Sequence, residues 1–307
     1  MPLIGRCSFP APGSRLVCAV SGGADSLTLL VLAAVAGCEV VAHHVDHGLR
    51  EDSHQDVRVV NEVAGELGVD VVVHRVSLGA GPNLEARARA ARLGAMPAGA
   101  ATGHTADDQA ETVLVNLLRG AATDGLAAMR AGPRHPILAL RRSETHALCT
   151  GLGLHPVEDP TNRDPSYLRN RIRHELIPVL CELAGRDVVP VLARQAGLLA
   201  DDAALLGELA AALDATDARA IANAPAPLGR RALREWLRCD HPPDLATVDR
   251  VLSVAAGRTR AADVGSGRSV RRSRGRLRLE QARAPVPALP PVAQDHDGLS
   301  CGPSVPD

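Results

Sequence analysis

The stretch Arg15 to Ala36, R-L-V-C-A-V-S-G-G-A-D-S-L-T-L-L-V-L-A-A-V-A, holds a short apolar run, a pair of glycines and a longer apolar run. This pattern predicts a buried strand over Arg15 to Val20, a turn over Ser21 to Ser26 and an apolar helix over Leu27 to Ala36. Glu39 to His44 follows as a second strand, which makes the segment a β-α-β unit. The pattern repeats outward with a helix near Ser53 to Leu67, a strand near Asp70 to Val76 and an Ala/Arg-rich helix over Asn83 to Leu93. A short strand before Gly103 and a helix from about Ala106 to Leu118 complete it. Strands and helices alternating at this length predict an α/β fold, a Rossmann-like parallel sheet covered by helices on both faces.

After the Pro/Asp-rich stretch Pro156 to Pro165 the periodicity becomes helical, with long Ala/Leu repeats over Asp187 to Asp214. Residues 1–180 are therefore expected to form the sheet domain and residues 181–284 a smaller, mainly helical one. Within the latter, Gly265, Gly267 and Gly275 between short Val/Leu/Arg runs predict a small hairpin over Val264 to Glu280. The Pro-rich tail, residues 285–307, is expected to be disordered.

Composition narrows the chemistry. None of the 34 basic residues is Lys, so Schiff-base chemistry and a Walker A phosphate loop, which needs its Lys, are both excluded. Aromatic residues make up 1% of the chain, leaving Phe9, Tyr167 and Trp236 as the large rings, so Ala, Val and Leu must build the core. The seven cysteines contain no C-x-x-C pair, which points to reduced thiols. No N-terminal charged segment precedes a long apolar run, and Ser26 to Cys38 falls short of the roughly 20 residues that span a bilayer. A soluble cytoplasmic protein without membrane partners is expected. The net charge of −1 conceals a local excess: Arg258 to Arg283 holds nine Arg against Asp263 and Glu280.

Ser21-Gly22-Gly23-Ala24-Asp25-Ser26 lies where a strand gives way to a helix, so its backbone N–H groups can approach an anion without Cβ interference. The hydroxyls of Ser21 and Ser26 add donors. A carboxylate such as Asp25 would be repelled by phosphates unless a divalent cation lay between them, which makes Mg²⁺ the expected metal. The same residues also fit a plain Gly-rich turn with Asp25 in a first helical turn.

Three further segments gather ionisable groups. His44-Val45-Asp46-His47-Gly48-Leu49-Arg50 follows the second strand, at the sheet edge where α/β proteins bind ligands, although a solvated loop reads equally well. In Gly103 to Glu111, a helix starting near Thr105 aligns Asp108 with Glu111, and His104 stands one turn earlier. Such a trio can hold an ammonium group, accept its proton or bind a metal, while Thr105 and Asp108 also read as a helix cap. Glu85, Arg89 and Arg92 on one helix, and Glu158 to Arg173 on a loop and helix start, read by themselves as charged surfaces.

Ser21 to Ser26 resembles the S-G-G-x-D-S signature of the PP-loop ATP pyrophosphatases, which cleave ATP between its α- and β-phosphates. The segments around His44, Arg89, His104 and Arg169 occur in the order and approximate spacing of the tRNA(Ile)-lysidine synthetases, over about residues 14 to 180. The resemblance implies that Ser21, Gly22, Gly23, Ala24, Asp25, Ser26 and His44 bind ATP, with Asp25 beside Mg²⁺ and the pyrophosphate. It implies that Arg89 and Arg169 neutralise phosphate charge, and that His104, Asp108 and Glu111 form the catalytic, lysine-binding cluster. It implies a reaction in which the O2 of a wobble cytidine attacks the α-phosphate of ATP and the ε-amine of lysine then displaces AMP. Asp108 or Glu111, relayed by His104, is the base this reading makes available. The implied partners are free L-lysine and a tRNA(Ile) with a CAU anticodon. By its charge the 258–283 stretch, with the helical region before it, is expected to hold the tRNA stem, although a disordered, solvated Arg segment reads nearly as well, and a homodimer is compatible with the sequence.

Leu93 stands where the family usually has Tyr, and Tyr167 where it commonly has Phe. The later region resembles the shorter family members. Another PP-loop enzyme, a tRNA thiolase or an amide-forming ligase, is the alternative, although a thiolase relying on paired cysteines finds no C-x-x-C here. A non-enzymatic nucleotide-sensing or RNA-binding module is the remaining class.

Overall fold

The computed structural model describes residues 3–46, 53–76, 91, 94–157, 159–239 and 242–281. The strands β1 (Arg15–Ala19), β2 (Glu39–Asp46), β3 (Asp70–Arg75) and β4 (Ala101–Thr102) pair in parallel in the order β3-β2-β1-β4. The chain thus adds β2 and β3 on one side of β1 and then returns to place β4 on the other, with Cys18 opposite Ala101 and Ala19 opposite Thr102. That reversal opens a crevice at the carboxyl ends of β1 and β4, the position where parallel α/β sheets accept ligands.

Helix α1 (Ala24–Val35) fills the core against β1, with Leu27, Leu29, Leu30 and Leu32 all at 0% exposure. Burying each such side chain contributes about 1.5–3 kcal/mol, so the helix needs no polar face. It begins at Ala24 rather than at Leu27, because the carbonyl of Gly23 in extended conformation accepts the N–H groups of Ser26 (3.1 Å) and Leu27 (3.0 Å). Asp25 and Ser26 are thereby drawn into the first helical turn. Helix α2 (Ser53–Leu67) adds Val60, Val63 and Ala64 to the same core.

Helices α3 (Ala106–Leu118), α4 (Thr123–Leu126) and α5 (Arg142–Gly151) follow β4. A helical run then passes from α6 (Leu168–Arg171) through a π-helical stretch, Ile172–Leu176, into α7 (Ile177–Ala184). Helix α8 covers Val189–Ala211. The contacts divide the chain into two units, Met1–Leu205 and Leu206–Asp307. The division falls later than the change of periodicity near residue 180, because Ile177, Val189, Leu192 and Ala193 pack against Ala106 and Ala110 of α3.

The second unit contains α9 (Ala218–Asn223), α10 (Ala226–Trp236) and α11 (Leu245–Ala255), packed on Ile221, Leu233, Val251, Val270 and Leu277. The expected hairpin is a three-stranded antiparallel sheet of β5 (Ala261–Gly265), β6 (Arg268–Ser273) and β7 (Arg276–Gln281). Apart from residue 91, the helix expected over 83–93 lies outside the described residues, as does the tail after 284. Among the described residues, no helix is long and apolar enough to cross a membrane.

Gly103, just past β4, is the tightest point of the crevice. A Cβ there would lie 2.7 Å from the carbonyl oxygen of Asp25 and 2.9 Å from the amide nitrogen of Ser26, both backbone atoms that cannot swing away. Gly103→Ala is expected to destabilise the protein by about 1–3 kcal/mol, as overpacking does, read as a lower urea midpoint with an unchanged slope. A midpoint equal to that of the parent would show that the crevice is looser than this contact requires.

Candidate active site

The phosphate loop is braced by its own hydroxyls. Ser26 Oγ donates to the Gly23 carbonyl (2.9 Å) and accepts from the Ser21 amide (3.1 Å). Gly22 takes φ +84°, the left-handed region open to glycine, and its carbonyl receives the Val157 amide at 3.0 Å. His44 is buried at 3% exposure, and its Nδ1–H donates to the Val20 carbonyl at 2.8 Å. It therefore anchors the strand end from which the loop departs.

Asp25 is gripped from the first turn of α5. Thr145 donates its hydroxyl to one carboxylate oxygen, and Arg142 Nε lies 3.5 Å from the other. Burial pushes the Asp25 carboxyl above its ordinary range; the Thr145 hydrogen bond opposes this, and the nearby negative charge of Asp108 adds to it.

Helix α3 presents the acidic pair. Thr105 N–H and its hydroxyl both donate to Asp108 Oδ2 at 2.9 Å, so the cap anticipated from sequence occupies one oxygen. The other, Oδ1, faces Arg142 Nη2 at 3.0 Å and Arg169 Nη2 at 3.3 Å. Glu111, at 0% exposure, accepts Arg142 Nη1 (3.1 Å), Arg169 Nε (2.7 Å) and Arg173 Nε (2.7 Å). Three carboxylates and three guanidiniums thus balance across the site. Burial alone would raise the Asp108 pKa, but Arg142 and Arg169 outweigh it and hold the carboxyl below its ordinary value. The carboxylates expected to await an amine are bonded to arginines in this state. Asp107 turns elsewhere, to both the Nε and Nη2 of Arg141 at 3.0 Å.

His104 is half-buried beside this cluster. Its Nδ1 lies 2.7 Å from Thr102 Oγ1, which also contacts His135 Nδ1 at 2.8 Å. Burial, with the neighbouring His104 and Arg134, pushes the His135 imidazole down to about 4.

The crevice between β1 and β4 thus brings together Ser21–Ser26, Asp25, Asp108, Glu111 and Arg169, with His104 at its margin. Arg89 lies outside the described residues, as do Glu85, Arg92, His47 and Arg50. Sequence reasoning missed Arg142, Thr145, Arg173 and His135. A signal existed for Arg173, which stands four residues after Arg169 on one helical run; Arg142 and Thr145 carry no local pattern that distinguishes them from a surface helix start.

Two outcomes follow from this electrostatic arrangement. Glu111→Gln removes the buried charge that three partly exposed guanidiniums share and is expected to cost about 3 kcal/mol of stability in urea unfolding, the lower end for a buried pair because those guanidiniums keep contact with water. A loss below about 1 kcal/mol, the value of an exposed pair, would mean that the arginines are held by other groups. His135 has a folded pKa of about 4 against 6.5 for a free imidazole, so the unfolded chain binds the proton first as pH falls. Its contribution is therefore intact above pH 6.5 and lost progressively down to about 4, and His135→Asn should flatten that part of the stability profile.

Comparison with known proteins is consistent with this geometry. A family model described as a PP-loop domain matches residues 4–180. The tRNA(Ile)-lysidine synthase of Nocardia farcinica is 40% identical over 304 residues, covering 91% of this chain and 96% of that protein. The tRNA(Ile)-lysidine synthase of Rhodococcus erythropolis is 41% identical over 242 residues, 74% of each chain, and that of Salinispora tropica 45% over 228 residues, 67% of this chain and 68% of its own. Similarity at that level along nearly the whole length, on a PP-loop domain, means that the chain belongs to the tRNA(Ile)-lysidine synthase family.

Proposed function

We propose that the chain joins free L-lysine to C2 of the wobble cytidine in the CAU anticodon of an isoleucine tRNA, spending ATP and releasing AMP and pyrophosphate. Decoding then changes from AUG to AUA. The observation that carries this reading is that one guanidinium, that of Arg142, bridges the phosphate-loop carboxylate Asp25 and the helix carboxylates Asp108 and Glu111. Adenylation followed by amine transfer needs its phosphate end and its amine end side by side, and this is such a site.

In the first step the cytidine O2 attacks the α-phosphorus of ATP, whose phosphates lie on the Ser21–Ser26 amides, and the bond to pyrophosphate breaks. Arg169 and Arg142, with Arg89 from outside the described residues, offset the charge that grows on the leaving group. Asp25, a carboxylate pushed above its ordinary pKa by burial and by the nearby Asp108, is the residue that would hold Mg²⁺, since a divalent cation would favour its charged form. Such an ion would supply further positive charge against the growing charge of the leaving group.

In the second step the depressed pKa of Asp108 keeps it ionised, which suits it to orient the ε-ammonium rather than to take its proton. That proton passes to His104. The neutral amine then forms the bond to C2, the C2–O bond breaks, and AMP leaves with that oxygen. Glu111, enclosed by guanidiniums, positions Arg142, Arg169 and Arg173. In the second unit, Arg271 stands directly opposite Arg278 across β6 and β7, and this exposed basic face receives the phosphates of the tRNA stem. ATP, free lysine and tRNA as substrates imply a cytoplasmic location.

The test incubates the protein with ATP, Mg²⁺, labelled lysine and either an isoleucine tRNA bearing CAU or initiator tRNA. Label should enter only the former, at the wobble base. Asp25→Ala should lose pyrophosphate release, whereas Asp108→Asn should bind ATP yet transfer no lysine; normal turnover by Asp108→Asn would sink its assigned role.

A further inference from the structure

Thr102 closes β4 in the crevice, and its hydroxyl oxygen has three polar neighbours: the Arg134 carbonyl at 3.2 Å, His104 Nδ1 at 2.7 Å and His135 Nδ1 at 2.8 Å. A hydroxyl has one proton and two lone pairs. With the proton donated to the carbonyl, both lone pairs are left to accept, and each imidazole must supply an Nδ1–H. The two Nδ1 atoms lie 3.3 Å apart with the rings at 63°, a separation compatible with two N–H donors meeting on one oxygen. Without the second imidazole one lone pair is vacant, and the hydroxyl can turn to donate to His104 Nδ1 at the shorter distance. That rotation would move the His104 proton to Nε2.

We propose that His135, acting through Thr102, is a positioning residue that locks His104 in its Nδ1–H tautomer, so that Nε2 carries the lone pair for the amine-transfer step. The inference rests on the reading of His104 as proton acceptor given above. The lock requires a neutral His135, since a cation there would add charge 3.3 Å from the His104 nitrogen; burial, His104 and Arg134 all hold it neutral near pH 7. Asp108 also faces His104, and its carboxylate favours a protonated His104 once the proton has arrived. A ring held with the wrong nitrogen protonated cannot accept a proton where the substrate offers one, whatever its pKa.

The experiment uses the full chain labelled with ¹⁵N-histidine. Two-bond ¹⁵N–¹H correlations at pH 7.5 report the tautomer of His104, whose signals are assigned by their absence in His104→Gln. Single-turnover transfer of labelled lysine is measured on the same proteins. The parent should show Nδ1–H. His135→Leu and Thr102→Val should show a shift toward Nε2–H with transfer slowed about 10–100-fold. His135→Asn, whose amide N–H can reach the same lone pair, and Thr102→Ser should retain both tautomer and rate.

An Nε2–H signal for His104 in the parent would overturn the proposal, as would an unchanged tautomer in folded His135→Leu. If His104→Gln transfers lysine at the parental rate, the reading of His104 as acceptor fails, while the tautomer spectra still decide separately whether His135 controls the ring.

Discussion

Glu111 has no solvent exposure, and the guanidiniums of Arg142, Arg169 and Arg173 close around its carboxylate. Removing an ion from water costs several kcal/mol, and the attraction of its partners offsets that cost only when the geometry is good and every remaining lone pair is used. Both oxygens of Glu111 are engaged, as are both of Asp108. The rest of the site inherits its shape from this requirement: α5 must deliver Arg142 and the α6–π segment must deliver Arg169 and Arg173 to the same point on α3.

The arrangement also explains how separate chemical tasks share one crevice. Arg142 belongs to the same turn as Thr145, and together they hold Asp25 from the opposite side to the phosphate loop. A change in charge at Asp25 is felt at Asp108, because the two carboxylates repel one another and share a guanidinium. Arginine suits this duty better than lysine would, since its planar fork bonds two or three acceptors at once and never loses its charge. The π-helical stretch Ile172–Leu176 has a role here as well. It widens the helix by one residue where Arg173 lies, and Arg169 and Arg173 both reach Glu111 from the same helical run.

Much of the fold was legible locally. Val and Leu runs of strand length, alternating with apolar helices and punctuated by Gly22–Gly23, allow little besides a parallel sheet, and the strands β1, β2 and β3 lie close to where their patterns put them. The start of α1 was misplaced by three residues because a carbonyl at Gly23, not a side chain, caps it. The hairpin in the second unit gained a strand, β5, whose Ala262-Asp263-Val264 alternation is too short to stand out from a loop.

Residue order alone determined that a glycine turn with a carboxylate would follow the first strand and that His104, Asp108 and Glu111 would lie along one helix start, since both follow from spacing within a single element. Only the tertiary structure decided which arginines meet those carboxylates and that His135 comes within 3.3 Å of His104. Arg142 stands 34 residues from Asp108, and His135 stands 31 from His104. Contacts at such separations depend on where parallel strands and crossing helices bring chain segments together, and no pattern within a window of one helix or strand encodes them.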